Sequence, residues 1–113
     1  MKNLLEETLQ VLKDNDLTEK DVRWVGSLDH RISWSRFKVL ANKDYDNGYG
    51  GQQVCTDLLV VGKDWWLERQ EYDGSEWWEF KKYPAGNLEK EAFLASVFRD
   101  RNYNDTINTV NNI

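Results

Sequence analysis

Glu68 and Glu79 are the residues of this 113-residue chain best placed to do acid–base chemistry. Both lie in one stretch from Asp64 to Tyr83, Asp-Trp-Trp-Leu-Glu-Arg-Gln-Glu-Tyr-Asp-Gly-Ser-Glu-Trp-Trp-Glu-Phe-Lys-Lys-Tyr, each close to a tryptophan pair. Glycoside hydrolysis needs two carboxyl groups about 5–10 Å apart, commonly beside aromatic rings. The plainer reading is that charged strand residues form a solvated face, and no recognisable pocket motif lifts the catalytic reading above it. The other candidates are thinner still. Asp44-x-Asp46-x-Gly48 resembles the start of a calcium loop, but that loop needs glycine sixth and glutamate twelfth. Here those positions are Tyr49 and Cys55. Gly48-Tyr49-Gly50-Gly51 lacks the Gly-Lys-Ser/Thr ending of a phosphate loop, so its glycines are read as turn formers. His30 is the only histidine and has no partner at motif spacing, which suits a solvent-facing loop residue. Cys55, the only cysteine, adjoins an apolar run and reads as a small buried hydrophobe. Neither a disulfide, a Cys-based zinc site nor any cofactor is expected.

The aromatics carry a different chemistry. Asp64–Tyr83 holds Trp65, Trp66, Trp77 and Trp78, and two β-prone runs flank Asp73-Gly74, a strong hairpin signal. A two-residue loop places Trp65, Leu67 and Arg69 on one face with Trp78, Phe80 and Lys82. The opposite face then carries Trp66, Glu68, Gln70 and Tyr72 with Trp77, Glu79, Lys81 and Tyr83. A four-residue loop keeps these faces but sets Glu68 against Lys81 instead of Glu79, the more comfortable arrangement electrostatically. A three-residue loop swaps the faces. Adjacent tryptophans on a strand must point to opposite sides, and a core needs only one side. Either helices cover both faces, or Trp66, Tyr72, Trp77 and Tyr83 form an exposed platform. Such a platform suits a protein partner, or sugars and unpaired bases stacked on the rings. Arg69, beside Trp78, is positioned to stack on an aromatic ring.

Composition limits the partner. Net charge is −5, and Asp64–Tyr83 holds six acidic residues against three basic ones. Phosphate-backbone binding needs clustered Lys and Arg, so direct nucleic-acid binding is disfavoured and a basic protein surface is the expected partner. No apolar run of about eighteen residues is present, so no membrane span is expected. The amino terminus lacks the apolar stretch of a signal peptide, which points to the cytoplasm.

The positioning elements follow from caps and periodicity. Asn3, with Glu6 three residues on, starts a first helix whose Leu5, Leu9 and Leu12 share a face and which ends at Asn15-Asp16. Thr18 and Asp21 frame one further turn, with Leu17 placed to staple against Val22. Val22–Val25 reads as a strand stopped by Gly26, and Asp29–Arg31 as a polar loop. Ser33 caps a second helix carrying Trp34, Phe37, Leu40 and Ala41 on one face. After the Asp44–Gly51 loop, Gln52–Asp57 suits a helical turn. Leu58–Val61, apolar on both faces, reads as a strand covered on both sides. Asn87 is placed to cap a last helix over 88–99 with Phe93, Leu94, Val97 and Phe98 as its stripe. The tail from Arg101 suits a short docked helix or a loose end. The expected fold is therefore α+β: one domain over 1–113, with a small antiparallel meander and Trp-rich hairpin packed against about three helices.

Three blocks together resemble small proteins encoded by phages and prophages of Gram-positive bacteria. They are Tyr45-Asp46-x-Gly48-Tyr49-Gly50, Asp57-Leu58-x-Val60-Val61-Gly62, and Trp65-Trp66-Leu67-Glu68-Arg69 through Glu76-Trp77-Trp78-Glu79-Phe80. Leu17-Thr18 through Asp21-Val22 to Trp24-Val25-Gly26 is similar too, so the likeness covers about residues 1–84. It implies a phage or mobile-element origin in a bacterial host, and carries over no catalytic residue. With the acidity and the aromatic face, it gives the expectation of a binding protein rather than an enzyme. The sharpest form is an anti-CRISPR-like inhibitor of a host defence nuclease or effector. The expected contact residues are Trp66, Glu68, Glu71, Tyr72, Asp73, Glu76, Trp77 and Glu79, with Tyr45, Asp46 and Tyr49 as a secondary contact loop. The alternatives are a module stacking single-stranded nucleic acid or glycan, and the small hydrolase built on the paired carboxylates.

Overall fold

A two-residue strand, β1 (Lys2–Asn3), runs directly into helix α1 (Leu4–Asp14), because the Asn3 side chain accepts the Glu6 amide at 3.0 Å and caps the first turn. The helix buries Thr8 and Leu12, with Leu4, Leu5 and Val11 packed beside them; Leu9 lies off the centre of that stripe. Asn15 ends the helix and Asp16 turns the chain with φ 58°. Thr18 and Asp21 then frame the expected turn, a 3-10 turn over Glu19–Asp21, with the Asp21 carboxylate accepting the Thr18 amide at 2.8 Å.

Strand β2 (Trp24–Gly26) pairs with β3 (Arg31–Ile32), so Arg31, expected in a loop, is in the sheet. Ser33 caps helix α2 (Trp34–Ala41) through the Arg36 amide, and Phe37 and Ala41 are its buried residues. Leu40, expected on the same face, is largely exposed. The short β4 (Asp44–Tyr45) pairs with β1, a second small sheet not expected from the sequence. Residues 52–57 form no helix; a single turn closes where the Leu58 amide donates to the Cys55 carbonyl at 3.2 Å, and hydrogen bonds to the hairpin hold the segment.

β5 (Leu59–Val61), β6 (Trp65–Tyr72) and β7 (Ser75–Lys82) complete a five-stranded antiparallel sheet in the order β3-β2-β5-β6-β7. Asp73 and Gly74 take φ 51° and 85°, the values of a type I′ turn, which fixes the two-residue loop and the register Tyr72↔Ser75. That register places Ile32, Val25, Val60, Leu67 and Phe80 in one row across all five strands. Leu12 of α1 and Phe37 and Ala41 of α2 pack on this face, together with Trp65 and Trp78. Helices therefore cover one side of the sheet within this unit. β5 departs from the expected double cover: Val60 is fully buried while Leu59 and Val61, pointing the other way, are half-exposed.

The structure, a computed structural model, describes residues 1–48, 50–84, 93–99 and 104–112. Cα packing divides the chain into two compact units, Met1–Tyr83 and Pro84–Ile113. In the second, Thr106 caps a short helix α3 (Ile107–Asn111), and the Asn111 side chain bonds the Ala95 and Ser96 backbone. Of the expected last helix, Asn87 and residues 88–92 lie outside the described residues and 93–99 are not helical. No helix among the described residues is long and apolar enough to cross a membrane.

Candidate recognition surface

The uncovered side of the sheet is built by strand alternation. Register aligns Trp24, Val61, Trp66 and Lys81 in one row, then Gly26, Leu59, Glu68 and Glu79, then Gln70 with Trp77, and Tyr72 with Ser75 at the turn. Tyr72 is 76% exposed, Tyr83 65% and Trp77 42%, far beyond the burial usual for such rings. Trp66 is half-buried because Tyr83 meets it edge-on with ring centres 5.3 Å apart. A cavity of about 290 Å³ opens on this side, walled by Trp24, Leu59, Val61, Trp66, Tyr83 and Lys63. The Arg31 guanidinium lies 4.2 Å from the ring centre of Trp24.

Charge on this surface is graded. Glu68 and Glu79 stand opposite each other, as the two-residue loop requires, but each has its own partners. Glu68 accepts from Trp66 Nε1 at 3.0 Å and from Gln70 Nε2 at 3.3 Å, while Glu79 pairs with Lys81 Nζ at 3.2 Å. These local partners remove the penalty that made a four-residue loop look more comfortable. Exposed Asp73 puts further acid at the turn end, whereas Arg31, Lys63 and Lys81 lie toward the other; Glu71 is also exposed there but on the helix side of the strand.

Glu76, expected on the contact surface, is a correction: it is 1% exposed and faces the helices. Its carboxylate accepts from Arg69 Nη2 at 2.8 Å, from the Gln53 amide at 2.5 Å and from the Val54 amide at 3.2 Å. Arg69 also reaches Glu7 of α1 at 2.9 Å and the Tyr45 hydroxyl at 3.1 Å, and stacks 4.7 Å from the Trp78 ring centre. Tyr45 donates to Glu7, so it is a structural strut rather than a free contact. Burial first, and the Glu7 acceptor second, push the Tyr45 phenol up to about 12. Burial alone would lower Arg69, but its bonds to Glu76, Tyr45 and Glu7 outweigh that and hold it above the ordinary arginine value. Asp46 is exposed in the adjoining loop and accepts the Gly48 amide; Tyr49 lies outside the described residues.

The helix side holds a second cavity, about 520 Å³, lined chiefly by Leu4, Phe37, Leu40, Val54 and Leu58. Cys55 borders it and is exposed, not the buried hydrophobe expected, because the chain around it makes no strand or helix that could carry the thiol inward. His30 is exposed in its loop. No three His, Cys, Asp or Glu side chains among the described residues group as a metal would require.

Of the eight contact residues expected, the structure gathers Trp66, Glu68, Tyr72, Trp77 and Glu79 on the open face. Asp73 sits at its turn end. Glu71, though exposed, falls on the helix side with its cross-strand partner Glu76, because odd positions of β6 share the face of Leu67 and Arg69, and Glu76 is removed to the core. Sequence reading missed Trp24, Arg31, Leu59 and Val61. Their alternation with buried Val25 and Val60 was visible, but the order in which strands pair was not. Compared with protein-family models, curated proteins and solved structures, the chain has no match.

Proposed function

We propose that this protein works by binding another protein through the open aromatic face, its acidic turn end meeting a basic patch on the partner. The observation that carries this reading is one-sided cover: both helices of Met1–Tyr83 pack on one face, leaving Trp77, Tyr72 and Tyr83 on the other. Exposed Trp and Tyr in a contiguous patch are unfavourable for an isolated chain and dominate binding energy when a partner covers them. Charge at the rim sets association rate and salt dependence more than affinity. The resemblance of residues 1–84 to phage and prophage proteins supports a host partner, with inhibition of a defence nuclease or effector as its sharpest form.

A second reading, stacking of a base or sugar, is favoured by the cavity between Trp24, Trp66 and Tyr83. Tryptophan fluorescence separates the two. Titrated with single-stranded oligonucleotides and with oligosaccharides, the full chain should show no saturable change. A saturating quench that Trp66→Ala abolishes would replace protein binding by the ligand-binding reading.

A further inference from the structure

β7 is the last strand of the sheet, and the phase of its hydrogen bonds can be read from its far end. The Tyr83 amide donates to the Asp64 carbonyl at 3.0 Å, in the same register that pairs Tyr72 with Ser75. The odd-numbered residues of β7 therefore turn their backbone groups toward β6, and the even-numbered ones turn theirs outward. At Glu76 the outward amide is taken by the Asn47 carbonyl at 3.2 Å. Trp78, Phe80 and Lys82 have no backbone partner on that edge among the described residues. An unbroken eight-residue strand without proline, open at successive outward positions, is a template for another strand.

We propose that the edge of β7 pairs antiparallel with β7 of a second copy, about a twofold axis at Phe80. Hydrogen bonding requires outward residues to oppose outward residues, which leaves a few symmetric registers. An axis at Glu79 sets Glu79 against itself, and one at Lys81 sets Lys81 against itself. An axis at Trp78 needs the Glu76 edge, which Asn47 already occupies. An axis at Lys82 sets Phe80 against Pro84, which has no amide to donate. The axis at Phe80 opposes Glu79 to Lys81 twice, Trp78 to Lys82 and Phe80 to Phe80. It ends where Asn47 and Pro84 leave nothing more to pair. Opposite charges directly across an antiparallel pair stabilise it and like charges oppose it. This register also sets Trp77 against Tyr83 of the second copy on the open side, so two aromatic faces join into one.

Sedimentation equilibrium of the full chain tests this. The wild type should form a reversible dimer, and Glu79→Lys or Lys81→Glu alone should weaken it roughly tenfold or more. The combined Glu79→Lys/Lys81→Glu variant should restore it. Both side chains are more than 40% exposed, so the swaps spare the core. Hydrogen exchange reads the same edge without substitution: the Trp78, Phe80 and Lys82 amides should gain protection as concentration rises. A monomer up to about 1 mM, a dimer indifferent to the single swaps, or a double swap that restores nothing would overturn the proposal.

Discussion

Arg69 Nη2 donates to Glu76 Oε1 at 2.8 Å, and solvent reaches neither side chain. This pair links the hairpin to α1 through Glu7 and to the 53–54 segment through two amides that Glu76 accepts. Among the described residues Arg69 Nε is buried without an acceptor, and the guanidinium carbon lies 4.7 Å from the Trp78 ring centre.

Glu76→Ala should therefore destabilise the protein by about 3 kcal/mol, since it leaves buried Arg69 with Glu7 as its one carboxylate and removes the acceptor of two amides. Its cross-strand neighbour Glu71 is exposed, and Glu71→Ala should stay within about 0.5 kcal/mol. Urea unfolding of the two variants checks the contrast. Equal effects would mean that Glu76 is not buried in this pair.

Tyr45 gives the network a signature in alkali. Its phenol is held at about 12 against an ordinary 10, so the folded state favours the protonated form. Its contribution to stability is whole below pH 10 and is lost as pH rises through 12. Stability followed by circular dichroism should fall across that window more steeply in the wild type than in Tyr45→Phe. Parallel profiles would contradict the assignment.

Close approach of the β5–β6 connection to a buried ring predicts a third effect. A Cβ at Gly62 would lie 2.1 Å from two atoms of the Trp65 indole, which is only 4% exposed and has little room to move. Gly62→Ala should cost about 1–3 kcal/mol. Gly51, with nothing within 4 Å, should accept alanine nearly without effect. Thermal melts of both variants decide it.

The hairpin was legible because Asp73-Gly74 is a strong local signal and side-chain alternation then fixes two faces. Asn3, Thr18 and Ser33 gave their helical starts for the same reason: a cap acts over three residues. Which face would be covered was not legible, because tryptophan occurs on both. The choice is made by Glu7, 62 positions from Arg69, and by Thr8, whose Oγ1 accepts from Trp78 Nε1 at 2.8 Å. Glu76 could have been placed correctly, since alternation puts it on the same side as Trp78; counting it as surface acid ignored that parity. Nor could the exposure of Leu59 and Val61 be read from an apolar run, which looks the same whether one or two faces are covered.

The central claim is that the open face is the working surface, and comparative capture tests it most directly. Immobilised wild type and Tyr72→Ala/Trp77→Ala, matched for stability by urea unfolding, are offered the same bacterial host lysate, with exposed Ser35→Ala on α2 as control. The wild type and the control should both retain a host protein. The double variant should hold it at least about 30-fold more weakly, the loss expected of aromatic anchors. Undiminished retention by the double variant would contradict the account.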